Sequence, residues 1–119
     1  MSVQYLVTGA TSGLGGSVLR TLLAYAGNSN VVASSSRASA EPQFTEKGIQ
    51  FRQADYDDSE MLKKAFKGVE KLFFVSSPEH DNEKRSMQHK NVINAAKEIG
   101  VGHVSQNLLP YRAFRELSV

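Results

Sequence analysis

The run Val3-Gln4-Tyr5-Leu6-Val7-Thr8 is cut short by Gly9, and Gly13 and Gly15 follow before a helical pattern begins. A short apolar run bounded by glycine predicts a strand buried on both faces of a sheet. The turn Gly9-Ala10-Thr11-Ser12-Gly13-Leu14-Gly15 then has to reverse the chain into a helix. Glycines allow that sharp path and keep side chains away from the main-chain N–H groups, which an anion can then reach. The helix behind them adds the positive end of its dipole. Strand, open turn and helix therefore predict a cradle for a phosphate-bearing ligand, or else an ordinary strand-helix turn. A P-loop is excluded because no lysine follows the glycines, and Ser12 lies in no G-x-S-x-G elbow.

At 119 residues the chain fits one domain with a real core, and its 40% hydrophobic and 22% charged residues are ordinary for a globular protein. A net charge of +2 with dispersed lysines and arginines argues against a nucleic-acid surface. Lys63, Lys64, Lys67 and Lys71 come nearest to a patch, and Glu60 and Glu70 beside them read as a solvated helix face. The absence of cysteine excludes disulfides, thiolate catalysis and zinc–thiolate sites. His80, His89 and His103 have no metal-ligand spacing. No signal segment and no membrane-length apolar run is present, so a cytoplasmic location and no membrane partner are expected.

Beyond the turn, Leu14, Val18, Leu19, Leu22 and Leu23 recur at helical spacing as far as Ala26, before Gly27-Asn28. Val31 to Ser36 is an apolar run turning polar, as a second central strand does at its C-terminal edge. Glu41 to Gly48 reads as a loop with two helical turns, and Ile49 and Phe51 mark a third strand. Asp55-Tyr56-Asp57-Asp58 closes it and opens a helix with the stripe Met61, Leu62, Ala65, Phe66 and Val69. Lys71 to Ser77 is a fourth strand stopped by Pro78, followed by a solvent-facing stretch from Glu79 to Arg85. Met87, Val92, Ala95, Ala96 and Ile99 give the next helix its apolar face, and Val101 to about Ser105 predicts a fifth strand. Such alternation implies an α/β fold in three layers, a doubly wound parallel sheet with right-handed crossovers.

The spacing Thr-Gly-x-x-x-Gly-x-Gly is that of short-chain dehydrogenases, and the end of the second strand holds the position that reads a dinucleotide's ribose. There stands Arg37, 22 positions after Gly15, with no acid from Val31 to Ala40. An acid would hold the 2′-OH of NAD, whereas arginine pairs with the 2′-phosphate of NADP. NADPH is therefore expected over NADH, unless Arg37 is only a surface residue. Asp55-Tyr56 ends the third strand, where a carboxylate or backbone donor meets the adenine edge, with helix capping by Asp57 or Asp58 as the plainer role. Ser76 and Ser77 end the fourth, placed either to line the cofactor groove or simply to terminate the strand. Glu79 and His80 follow them toward the nicotinamide side.

The run Gly9-Ala10-Thr11 with Gly15, Arg37, Arg52 to Asp58, Gly68 to Leu72, Val75-Ser76-Ser77 and Gln88 to Lys97 resembles the NmrA-like atypical short-chain dehydrogenases, and within them the NAD(P)H:quinone oxidoreductases. The resemblance covers about residues 3 to 104 and implies a Rossmann-like sheet of about five strands in the order 3-2-1-4-5. It further implies NADPH held by the glycine loop, Arg37, Asp55-Tyr56 and Ser76-Ser77, with hydride passing directly to a quinone. Two departures stand out. Ser12 replaces the usual glycine, with Gly13 beside it; and residues 105-119 diverge, so that the family's further strands and small substrate domain have no match. No Tyr-x-x-x-Lys pair exists either, since Tyr111 is followed by Arg115, and no catalytic residue can be assigned.

Residues 1-104 are therefore expected to form the NAD(P)-binding unit and residues 105-119 a tail, with a shortened gene product as one reading of the divergence. Pro110, Tyr111, Phe114 and Leu117 predict a short amphipathic helix in that tail, folded over the sheet or joined to a partner. Without a sixth strand the fifth is an edge that invites a homodimer. Two functions stand side by side: an NADPH-dependent quinone reductase, or an NADP(H)-binding sensor or inactive product without a substrate pocket. Weak or absent quinone reduction is expected of the chain alone.

Overall fold

Two rows of apolar side chains, one on each face of a single sheet, hold the chain together. The computed structural model describes residues 3–75, 81–108 and 113–117. In chain order these form β1 (Val3–Val7), α1 (Gly13–Ala26), β2 (Val31–Ser35), α2 (Glu41–Thr45), β3 (Gln50–Gln53), α3 (Ser59–Phe66), β4 (Val69–Phe74), α4 (Asn82–Ile99), β5 (His103–Leu108) and β6 (Ala113–Leu117). The sheet runs β3-β2-β1-β4-β5-β6. β1 lies at its centre, with Leu6 beside Val32 of β2 and Leu72 of β4, all parallel. The expected parallel order 3-2-1-4-5 is thus observed, with β6 added antiparallel along β5 from Val104↔Leu117 to Leu108↔Ala113.

Because successive strand residues point to opposite faces, each central strand feeds both cores. Leu6, Val32, Leu72, Phe74 and Val104 pack with Leu62, Phe66, Val92 and Ala96 under α3 and α4. Val7, Val31 and Ala33 pack with Leu19, Leu22 and Phe44 under α1 and α2. Asp58 caps α3 by accepting from the Met61 N–H at 3.1 Å, and Asp81 caps α4 by accepting from Glu83 and Lys84. Lys63 of α3 reaches Glu98 of α4 at 3.0 Å.

Five expectations need correction. Val69 does not continue the helical stripe of α3; it opens β4, paired with Val3. α4 begins at Asn82 rather than near Met87, because an aspartate cap starts a helix that its polar first turns conceal, and Met87 is 65% exposed. The fifth strand is shifted, starting at His103 and running on to Leu108. The tail is not helical where it is described: Ala113–Leu117 is a strand. Its spacing of apolar residues at threes supports too short a helix to hold alone, whereas the open edge of β5 offers every N–H and C=O a partner. β5 is accordingly not an edge; β3 and β6 are the outer strands.

Candidate dinucleotide site

The glycine turn sits at the C-terminal edge of β1, between strands that fix it on both sides. Thr8 N–H donates to Phe73 O at 3.0 Å, and Ala10 N–H donates to Ser34 O at 2.9 Å. Gly9 takes φ +62°, a value side chains avoid, and so turns the chain out of the sheet. At Gly15 the reason is space: a Cβ there would lie 2.0 Å from Gly9 O. The helix start therefore lies directly against the turn. Around Gly13, by contrast, nothing lies within 4 Å of where a Cβ would be.

Ser12 explains its own presence. Its hydroxyl donates to Gly9 O at 2.7 Å and accepts from Gly15 N–H at 3.0 Å, so it is the N-cap of α1. That cap consumes one first-turn donor. The N–H groups of Gly13 and Leu14 have no acceptor within the helix by its geometry, and they face the open side of the turn where Thr11 and Gly13 are exposed. Free N–H groups and the positive dipole end of α1 give this opening the chemistry to receive an anion.

β2 carries Arg37 to the same edge of the sheet. Its backbone is held, with N–H donating to Ser35 Oγ at 3.3 Å and its carbonyl accepting from Ala40 N–H at 3.1 Å. Its side chain is exposed and has no ionic or hydrogen-bonding partner among the described residues. A held backbone with a free guanidinium suits capture of a ligand anion.

The third predicted pair is held by contacts within the protein. Asp55 Oδ1 accepts from Asp57 N–H at 2.9 Å, closing a turn, and Tyr56 points inward. Its phenol oxygen lies 2.5 Å from Val75 O and 2.7 Å from Thr8 Oγ1, and Val75 N–H donates to that same Thr8 oxygen at 2.9 Å. A carbonyl only accepts, so the phenol proton goes to Val75 and the Thr8 proton to the phenol. Burial pushes the phenol well above the usual tyrosine range, with the Thr8 hydrogen bond pulling the other way. Tyr56 thus joins the ends of β1 and β4 to the loop after β3. Phe74 packs edge-on to its ring at 5.3 Å.

α4 holds this loop from outside. Asn91 Nδ2 donates to Tyr56 O at 2.9 Å, and Gln88 Nε2 to Asp57 Oδ1 at 3.1 Å. Thr8, Gln88 and Asn91 were not singled out from the sequence as site-forming residues, although the block from Gln88 to Lys97 signalled that this helix matters. One step along it, His89 packs edge-on to Phe74 at 4.9 Å. Burial, and then the charge of Arg85, hold its imidazole below the ordinary histidine range. Ser76, Ser77, Glu79 and His80 lie outside the described residues. Among the described residues no cluster of histidine and acid side chains could hold a metal ion, and no helix is long and apolar enough to cross a membrane.

The family model for the NmrA-like family matches residues 1–109. The chain belongs to the NmrA-like family. It is 40% identical over 111 residues to the NmrA-like family domain-containing oxidoreductase flvB of Aspergillus flavus, covering 92% of this chain and 36% of that protein. It is 41% identical over 103 residues to quinone oxidoreductase 2 of Escherichia coli, covering 87% and 35%. Among solved structures, the Citrobacter sp. triphenylmethane reductase complexed with NADP(H) superposes with a TM-score of 0.84 at 38% identity, over 87% of this chain and 36% of that one. The NADPH-dependent quinone oxidoreductase from Escherichia coli, complexed with NADPH, gives 0.82 at 40% identity, over 89% and 37%. The chain therefore spans little more than a third of the length of these relatives.

Proposed function

We propose that this chain is the NADP(H)-holding part of an oxidoreductase of the quinone-reductase type. The observation that carries the reading is Arg37: a free cation at the edge of β2, beside an open glycine turn, with no acid between Val31 and Ala40. The pyrophosphate lies on the N–H groups of Gly13 and Leu14, and Arg37 pairs with the 2′-phosphate. Thr11 borders the same opening. Tyr56 keeps the exits of β1 and β4 in register so that this surface is preformed. When bound, the cofactor supplies hydride; the chain's own residues bind and orient it. That relatives of known structure carry NADP(H) or NADPH supports the cofactor, and the name of the Escherichia coli relative supports a quinone as acceptor.

Titration of the chain with both nucleotides tests the first half. NADPH is expected to bind at least tenfold more tightly than NADH, and Arg37→Ala to abolish most of the difference, as loss of a charge-assisted pair of about 1.5–3 kcal/mol predicts. Equal affinities would overturn it. The acceptor half is tested by NADPH oxidation with a simple benzoquinone. A second reading is that the chain by itself binds cofactor without turnover. A rate at the cofactor's own background supports that second reading; a rate well above it supports reduction by this chain alone.

A further inference from the structure

The exits of β2 and β3 are laced together beside Arg37. Ser35 and Gln53 are the last paired residues of these two parallel strands, and Ala54 N–H donates to Ser35 O at 2.9 Å. Two side chains then take hold of one peptide group, the one between Ser36 and Arg37. Gln53 Nε2 donates to its carbonyl, Ser36 O, at 2.8 Å, and Ser35 Oγ accepts from its Arg37 N–H at 3.3 Å. The peptide group on the other side of Arg37 is fixed as well, since Arg37 O accepts from Ala40 N–H at 3.1 Å.

A peptide group is planar, so bonds to its carbonyl oxygen and to its N–H together fix the orientation of the whole plane. With the planes on both sides of the Arg37 Cα held, at φ −102° and ψ 119°, the direction in which its Cβ leaves the backbone is set too. The guanidinium is treated differently, being exposed and without an ionic or hydrogen-bonding partner among the described residues. The origin of the side chain is restrained, and its tip is left for a ligand. Of these restraints, the one from Gln53 crosses from another strand, 17 positions away in sequence.

We propose that Gln53 and Ser35 are positioning residues for cofactor selectivity: by holding the Ser36–Arg37 peptide group they aim the guanidinium at the 2′-phosphate that distinguishes NADPH from NADH. The inference rests on the reading that Arg37 pairs with that phosphate. The forked hydrogen bonding of arginine to phosphate is directional, so its strength depends on the angle from which the side chain arrives. Fixing the origin of the stem also lowers the cost of ordering it on binding. NADH carries a hydroxyl at that position and gains nothing from the same restraint. Gln53 and Ser35 therefore act on the choice between the dinucleotides without acting on the N–H groups of Gly13 and Leu14, which serve both.

The test measures the affinities of the 119-residue protein for NADPH and NADH, by the fluorescence of the nucleotides, in a cycle of Gln53→Met, Arg37→Ala and the double variant. Methionine keeps the length of the side chain and lacks the donor. Gln53→Met is expected to weaken NADPH about fivefold and NADH by less than about twofold, and to have no further effect on NADPH once Arg37 is alanine. Ser35→Ala frees the other end of the same peptide group, so it should also weaken NADPH selectively, and it carries the test should Gln53→Met not fold. A purely structural role, or a direct contact of Gln53 with the nucleotide, would weaken NADPH and NADH alike and persist in the Arg37→Ala background. Either of those results, or a preference for NADPH left intact by both variants while Arg37→Ala removes it, overturns this inference alone. A parent chain with equal affinities for the two nucleotides overturns the cofactor reading and this inference with it.

Discussion

At the scale of single residues, the two glycines of the turn separate folding from binding. Gly15→Ala would drive a methyl into Gly9 O, so a loss of about 2 kcal/mol or more is expected in chemical denaturation. Gly13→Ala meets open space and exchanges glycine for a better helix former, so stability should hold or rise by about 0.5–1 kcal/mol. Its methyl would nevertheless stand on the face proposed for the phosphates, and NADPH affinity should fall at least tenfold. Tyr56 offers a second contrast. Tyr56→Phe leaves Val75 O and Thr8 Oγ1 short of a partner and is expected to cost about 1–3 kcal/mol. The phenol also sets a pH dependence. Its folded-state affinity for the proton is raised, so above the ordinary tyrosine range near 10 the unfolded chain releases the proton first. Stability then falls as pH rises from about 10, and Tyr56→Phe should flatten that limb of a stability profile measured between pH 8.5 and 11.5.

At the scale of elements, β6 is where a single backbone change has the largest expected effect. Arg115 pairs with Gln106 across the antiparallel ladder. Arg115→Pro imposes a backbone angle that suits a strand poorly, and so loosens β6 from the edge of β5. Light scattering at rising concentration should show more self-association than in the parent chain. The same strand shows where sequence reading stops. The buried strands β1, β2 and β4 announce themselves because both faces require apolar side chains, and α1 because Leu19 and Leu22 sit on one stripe. β6 has no such signature: five residues at a sheet's margin can be spaced like a helix, and only the presence of β5 decides between them. The start of α4 was hidden for a related reason, since its first turns are solvent-facing and carry no period, and Asp81 alone marks them. Of the proposed site, the turn and Arg37 stood out as candidates in the sequence because phosphate chemistry restricts which residues can serve there. Tyr56 was legible as a position and not as a role, because an aromatic at a strand end can face a ligand or the sheet, and the hydroxyl of Thr8, 48 positions away, makes the choice.

At the scale of the whole molecule, the groups proposed to hold the dinucleotide follow the ends of β1 and β2 along one edge of the sheet, and the proposed function depends on the strand ends there being level. The hydrogen-bonded knot of Thr8, Tyr56 and Val75 is what levels them. Its contacts join residues 48 and 67 positions apart, so no local segment can form it. Chain entropy places such long-range closures late in folding, after β1 has found both of its neighbours. Cofactor affinity would then be absent from every partly folded form, and the nucleotide could neither rescue nor trap an intermediate; its binding reports that the sheet is complete.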